Sequence, residues 1–404
     1  MREEVINVLR GAWEKAPFYR EKYKEVDFDN GNFTEVPILT KHELREFAEQ
    51  LLCDEWIGAK RKELRVERTS GSTGKFTTVY WCREDYNKSN MHLWRLRNRW
   101  YGIYPNSKLV TFNSLIFAGT RLLKPKRITF LDNQRSLLLS KFNLLDDDLH
   151  EYIDVMNRFK PDWMMVQNSV LARLCDFMQR KHLALPTSIK YIELNGEATS
   201  KETKQYYRNC FGVPIADMYG ATEVNGIAYE CPCGRAHVLE KNVYLETVER
   251  EEGPMAIVTS LCNMAMPIIR YELGDIVELG ESEQCECGMV STYIKQVKGR
   301  VSDKIDTSDG RHVSPYVFLF CIEKTNEMLF HPIVQFKILQ RQVDSIVIRI
   351  KIKEEQKGWT KTIENELVRM VYEQNTGIDV TVEVTECSLE MNSEKFKFFE
   401  RIYD

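Results

Sequence analysis

Short apolar runs alternate with amphipathic stretches through the middle of the chain. Residues 109–112, 163–166, 189–194 and 215–218 are compact hydrophobic runs of the kind that form buried strands. Between them, 149–159, 170–181 and 201–211 read as helices. That alternation predicts an α/β fold with a mostly parallel sheet. After Tyr219 the pattern shortens to hairpin-like β. From Pro332 onward, two strands (333–340 and 345–352), a helix (359–374) and a strand (380–384) predict a small α+β unit. Charge and glycine interrupt the β pattern upstream, at Lys298-Gly299-Arg300. The chain therefore divides, on its sequence, into residues 1–299 and 300–404.

The front of the chain is helical. Val5, Leu9 and Trp13 fall near one face of a helix expected to end about Pro17. Pro37-Ile38-Leu39-Thr40 reads as a turn, with Thr40 as N-cap of a helix from Lys41. Residues 83–101 carry Tyr86, Met91, Leu93, Trp94 and Trp100 with Arg95, Arg97 and Arg99 between them. Arginine beside aromatics can stack on RNA. The spacing favours an amphipathic helix with a solvated basic face.

Composition narrows the class. A chain of 404 residues, 43% hydrophobic and 29% charged, has ample core for a large enzyme of two or three domains. A net charge of −4 gives no broad basic surface for nucleic acid. No apolar run approaches the length of a membrane span. Met1-Arg2-Glu3-Glu4 does not open an export signal, and eleven cysteines without one predict a reducing, cytoplasmic setting.

Four segments suit a nucleotide. Thr69-Ser70-Gly71-Ser72-Thr73-Gly74-Lys75 combines backbone donors freed by glycine, hydroxyls and a lysine, a set that fits a polyphosphate. It is not a Walker A loop, because Thr69 and Phe76 stand where that motif needs Gly and Ser or Thr. Asn195-Gly196-Glu197-Ala198 follows a strand and precedes a helix, where backbone can approach a flat ligand. Asp217-Met218-Tyr219-Gly220-Ala221-Thr222-Glu223 places a ring, a hydroxyl and a carboxylate at a strand end. Tyr can cover a base, Thr can donate to a phosphate and Glu can hold Mg²⁺. Arg270-Tyr271-Glu272-Leu273-Gly274-Asp275 sets a carboxylate in a turn suited to ribose hydroxyls. Singly, each is as readily an ordinary turn. Their order and intervals are the informative part.

In that order the segments resemble the adenylate-forming enzymes: acyl-CoA synthetases, luciferases and adenylation domains. The likeness is strongest to the phenylacetate–CoA ligase branch. It is carried by Ala16-Pro17-Phe18-Tyr19-Arg20, the loop 69–75, Tyr219-Gly220-Ala221-Thr222-Glu223, Gly274-Asp275 and Gly299-Arg300. The resemblance implies a large N-terminal domain, a small mobile C-terminal domain, and ATP bound where they join. It implies that Thr69, Ser70, Gly71, Ser72, Thr73, Gly74 and Lys75 hold the β- and γ-phosphates. Gly196, Glu197, Ala198 and Tyr219, with Met218 and Gly220 beside it, would enclose adenine, and Asp217 would face its amino edge. Thr222 would touch the α-phosphate, Glu223 the Mg²⁺, and Asp275 the ribose with Arg300 nearby. Two positions depart from the pattern. Ser302 stands where the hinge is often Asp, and Glu394-Lys395 stands for the usual Gly-Lys. Lys395 is the best match for the catalytic lysine, with Lys397 second.

The cysteines carry a separate signal. Cys231-Pro232-Cys233-Gly234 and Cys285-Glu286-Cys287-Gly288 are matching knuckles, each with a glycine that permits a tight turn. They predict a structural Zn²⁺ held by Cys231, Cys233, Cys285 and Cys287, with His237 as a possible replacement ligand. The other cysteines are scattered and read as buried or inert.

The expected function is an ATP-dependent ligase that joins a carboxylic acid to AMP, releases pyrophosphate, and passes the acyl group to a thiol. Coenzyme A is the first choice of acceptor. The alternatives are a carrier-protein phosphopantetheine thiol, AMP transfer to a hydroxyl, or a zinc-stabilised nucleotide-binding module without catalysis. The sequence names neither the acid nor an oligomeric state.

Overall fold

The computed structural model describes residues 3–27, 33–69, 77–113, 116–118, 121–123, 127–141, 144, 146–197, 199–300, 305–309, 312–313, 315–329, 332–374, 376–386 and 399–403. The chain forms two compact units, residues 1–104 with 217–298 and residues 105–216 with 299–404.

In the second unit the expected alternation is present. Strand Leu109–Asn113 pairs in parallel with Ser136–Ser140 on one side and Trp163–Val166 on the other. Trp163–Val166 pairs in parallel with Tyr191–Asn195. Helices Asp146–Phe159, Asn168–Arg180 and Lys201–Phe211 connect these strands. Leu149, Ile153 and Met156 on the first helix, and Val170, Leu174 and Phe177 on the second, enter one core. Each such side chain contributes about 1.5–3 kcal/mol when fully buried. The helix Lys201–Phe211 starts on Ser200, whose side chain accepts the N–H of Thr203, and stops at Gly212 at φ 68°. One feature departs from the expected pattern. Ile128–Leu131 and Ser136–Ser140 form an antiparallel hairpin whose turn holds Asp132, Asn133 and Gln134 at positive φ.

Residues 305–399 have a core of their own, built on Phe318, Ile322, Ile338, Ile348, Ile363 and Leu367. Ile333–Gln342 pairs antiparallel with Ser345–Ile352. Asp379–Val384 and Phe399–Arg401 add parallel strands at the two edges. Helix Thr360–Glu373 is as expected, whereas helix Tyr316–Met328 extends the unit upstream of Pro332.

The first unit is β-rich. Its strands run in the order Val243–Arg250, Gly253–Ser260, Tyr271–Gln284, Val290–Arg300, Ala236–Val238, Asn225–Glu230, Ile215–Ala221. Helix Glu3–Lys15 buries Val5, Val8, Leu9 and Ala12, while Trp13 is 38% exposed. The apolar face therefore runs one position earlier than Val5-Leu9-Trp13 suggests. Pro17 starts a second short helix, Pro17–Lys22, consistent with the tolerance of proline in a first turn. Thr40 caps Lys41–Glu46 through a full capping box with Glu43. Helix Arg83–Tyr101 ends at Gly102 at φ 66°. Its basic face needs correction: Arg95 and Arg99 are exposed, but Arg97 is buried and lies 4.5 Å from the Trp94 ring. Among the described residues no helix is long and apolar enough to cross a membrane.

Candidate active site

The strand Ile215–Ala221 turns back into Asn225–Glu230. The register runs Met218 to Tyr229 and Tyr219 to Ala228, slips, then resumes with Gly220 to Gly226 and Ala221 to Asn225. Thr222 and Glu223 therefore sit in the return of a tight hairpin. Gly220 is required there by space: a Cβ would lie 2.7 Å from the Asn225 carbonyl oxygen. Asn225 closes the return at φ 64° and donates its side-chain amide to Ser89 Oγ at 2.6 Å. Below the turn, the buried Glu230 accepts the backbone N–H of Asp217 through Oε2 at 2.9 Å. The Tyr101 hydroxyl donates to the Glu230 carbonyl at 2.7 Å.

Asp275 is aimed by a bulge. Strand Gly253–Ser260 pairs Met255 with Ile276 and Ile257 with Glu272, so the strand Tyr271–Gln284 carries two extra residues between these pairs. Gly274, at φ 81°, supplies the left-handed backbone that such a bulge favours. Asp275 is thereby redirected and 7% exposed. The Tyr219 hydroxyl donates to Asp275 Oδ2 at 2.6 Å. The Tyr271 hydroxyl donates to Glu223 Oε1 at 3.0 Å. Tyr271 is a contact the sequence reading missed. Its residue stood inside the quoted 270–275 segment, but nothing in the spacing marks its partner.

The residue before Tyr271 is anchored heavily. Arg270 takes φ 46°, unusual for a non-glycine residue, and is 2% exposed. Its Nε donates to Glu246 Oε1 at 2.8 Å, and its backbone N–H donates to Thr259 Oγ1 at 3.0 Å. Burial raises the Glu246 carboxyl above its ordinary value, and the Arg270 charge opposes that shift.

Gly196 and Glu197 belong to the second unit. Gly196 follows Tyr191–Asn195 at φ 72° and is exposed. Glu197 accepts the Ser169 backbone N–H at 2.7 Å and its hydroxyl at 2.9 Å. Ser169 lies in the first turn of helix Asn168–Arg180, so this carboxylate meets orphan donors at a helix N-terminus. Thr69 ends strand Arg65–Thr69, and Arg300 ends strand Val290–Arg300. Ser70, Gly71, Ser72, Thr73, Gly74, Lys75, Ala198, Ser302, Lys395 and Lys397 lie outside the described residues.

The two cysteine knuckles meet. Gly234 donates its N–H to the Cys231 carbonyl at 2.8 Å, and Gly288 donates to Cys285 at 2.9 Å. Both glycines have positive φ, 77° and 84°. Ligand atoms of Cys231, His237, Cys285 and Cys287 lie within 4.8 Å of one another. The Cys231 and Cys285 sulfurs are 3.9 Å apart, and Cys287 Sγ is 3.3 Å from His237 Nε2. Three of the four expected cysteines are in this group, and Cys233 is not. Cys233 is exposed, and the fully buried His237 is the fourth member of the group. His237 Nδ1 lies 2.8 Å from Ser291 Oγ, which leaves Nε2 to face the sulfurs. Burial, then the nearby Arg235 charge, holds His237 below its ordinary pKa and favours the neutral ring. Of the scattered cysteines, Cys82 has a structural role, accepting the Asp85 N–H as N-cap of Arg83–Tyr101.

Residues 69–263 match the family model described as AMP-binding enzyme. This stretch, just under half of the chain, is an AMP-binding domain. The chain is similar to phenylacetate-coenzyme A ligases over most of its length. It is 24% identical over 369 residues to phenylacetate-coenzyme A ligase of Escherichia coli (strain K12), covering 86% of this chain and 80% of that protein. It is 22% identical over 365 residues to protein CapK of Staphylococcus aureus, covering 87% of this chain and 76% of that protein. The fold is that of 2-hydroxyisobutyryl-CoA ligase, with TM-score 0.77 at 16% identity, covering 99% of this chain and 88% of that one.

Proposed function

We propose that this enzyme activates a carboxylic acid as its acyl-adenylate and transfers the acyl group to coenzyme A. In the first step a carboxylate oxygen attacks the α-phosphorus of ATP and pyrophosphate leaves. In the second a thiolate attacks the acyl carbonyl and AMP leaves. The main support is the pair of carboxylates Glu223 and Asp275, each held by a tyrosine of the other's segment, one at the family's metal position and one at its ribose position. Asp275 would hold the ribose, and Tyr219, tied to it, would cover adenine. Thr222 would donate to the α-phosphate. Glu223 is suited to a hard cation, since a carboxylate is a favoured Mg²⁺ ligand. Bound there, Mg²⁺ would neutralise phosphate charge as it builds in the transition state. The loop 69–75 and Lys395 are assigned phosphate and catalytic roles by the family pattern alone. By the same pattern the joint between residues 1–299 and 300–404 would be a hinge. A carrier-protein thiol is the second acceptor. Hydroxylamine trapping across a carboxylic-acid panel tests the reading. A hydroxamate formed with one acid class supports it, and none across the panel opposes it.

We also infer a structural Zn²⁺ held by Cys231, His237, Cys285 and Cys287. A tetrahedral Zn²⁺ with Zn–S of about 2.3 Å puts its sulfurs roughly 3.8 Å apart. The Cys231–Cys285 separation of 3.9 Å fits that spacing. Three thiolates, one imidazole and a Ser291 partner behind the ring form a closed donor set rather than a catalytic one.

A further inference from the structure

The two segments of the proposed nucleotide site interlock. Residues 219–223 contribute a phenol, Tyr219, and a carboxylate, Glu223. Residues 271–275 contribute a phenol, Tyr271, and a carboxylate, Asp275. Each phenol donates to the carboxylate of the other segment, Tyr219 to Asp275 at 2.6 Å and Tyr271 to Glu223 at 3.0 Å. The first residue of each segment thus bonds the last residue of the other. Tyr271 is 1% exposed and Glu223 6%, so the second bond is made away from bulk water. Arg270 fixes the base of this arm through Glu246 and Thr259.

We propose that Tyr271 is a positioning residue for the metal-binding carboxylate. The inference rests on reading Glu223 as the Mg²⁺ ligand. A glutamate side chain has several rotatable bonds, and fixing them at the moment of binding costs entropy. A phenol that already holds one carboxylate oxygen removes part of that cost and sets the direction of the group. Tyr219 acts on the other carboxylate, so its loss falls on nucleotide binding rather than on the metal.

The test is a Mn²⁺ titration followed by electron paramagnetic resonance, with a non-hydrolysable ATP analogue bound. Wild type, Tyr271→Phe, Tyr219→Phe and Glu223→Gln are compared. Tyr271→Phe removes one oxygen and keeps the ring, and its melting temperature is measured alongside. Tyr271→Phe is expected to weaken Mn²⁺ binding on the order of ten- to a hundred-fold, the range for a hydrogen bond to a charged group. Analogue binding without metal stays as in wild type. Tyr219→Phe does the reverse. In the exchange reaction, excess Mg²⁺ restores the Tyr271→Phe rate. If Glu223→Gln binds Mn²⁺ like wild type, the metal assignment itself fails. If Glu223→Gln weakens binding while the folded Tyr271→Phe titrates like wild type, the positioning role is overturned and the metal assignment stands.

Discussion

Gly220→Ala isolates the demand that the hairpin places on one residue. The added Cβ would lie 2.7 Å from the Asn225 carbonyl oxygen, with Met218 Sδ at 3.2 Å. Ordinary contact begins at 3.4 Å, so backbone and methyl must part by about 0.7 Å, the difference of the two distances. The obstacle is a main-chain oxygen on a residue already fixed at positive φ and tied to Ser89, so it cannot swing aside like a side chain. Overpacking of this kind costs about 1–3 kcal/mol. The strain falls between Tyr219 and Thr222, two proposed nucleotide contacts. A misplacement approaching 1 Å at such contacts can cost on the order of 10²-fold in rate. Pyrophosphate exchange into ATP and thermal melting should be measured on the same preparation. The expected result is a folded protein with a modestly lower melting temperature and a much larger loss of exchange. A variant that melts and exchanges like wild type would refute the reasoning. A lower melting temperature with unchanged exchange would show that the hairpin does not position the reacting groups.

Three further outcomes are expected. Elemental analysis should find about one Zn²⁺ per chain, lost in Cys231→Ser and His237→Ala and retained in Cys233→Ser; loss in both Cys231→Ser and Cys233→Ser with retention in His237→Ala would restore the four-cysteine set. Gly11→Ala should raise stability by about 0.5–1 kcal/mol, because Gly11 lies inside helix Glu3–Lys15 and an added Cβ meets nothing within 4 Å; a denaturant midpoint below wild type would contradict this. Lys395→Ala should slow adenylation on the order of 10²–10³-fold while sparing thioester formation from supplied acyl-adenylate; the same split in Lys397→Ala alone would shift the catalytic assignment by two residues.

Local signals were the legible ones. Thr40 announced its N-cap, and the apolar runs at 109–112 and 163–166 are strands that pair in parallel with each other. The hairpin Ile128–Leu131 was not legible, since Phe130 and Leu131 are 48% and 39% exposed and give no alternation of inward apolar positions. Arg97 misled because its burial depends on stacking against Trp94, which charge periodicity does not reveal. At the site, the glycines at 220 and 274 were visible as motif residues, but their reasons, a close carbonyl and a two-residue bulge, belong to strand pairing. The same holds for the candidate metal ligands. Two matching knuckles suggest four thiols, whereas antiparallel pairing of His237 with Tyr293 carries the ring among the sulfurs and leaves Cys233 outside. Tyr271 was hidden for the reason that hides most long-range contacts: its partner Glu223 is 48 residues away.

The most direct test of the account is exchange of labelled pyrophosphate into ATP by the purified wild-type protein, with and without Mg²⁺, across carboxylic acids. The account predicts exchange that requires both Mg²⁺ and an acid. A folded protein that binds ATP and catalyses no exchange with any acid would contradict it.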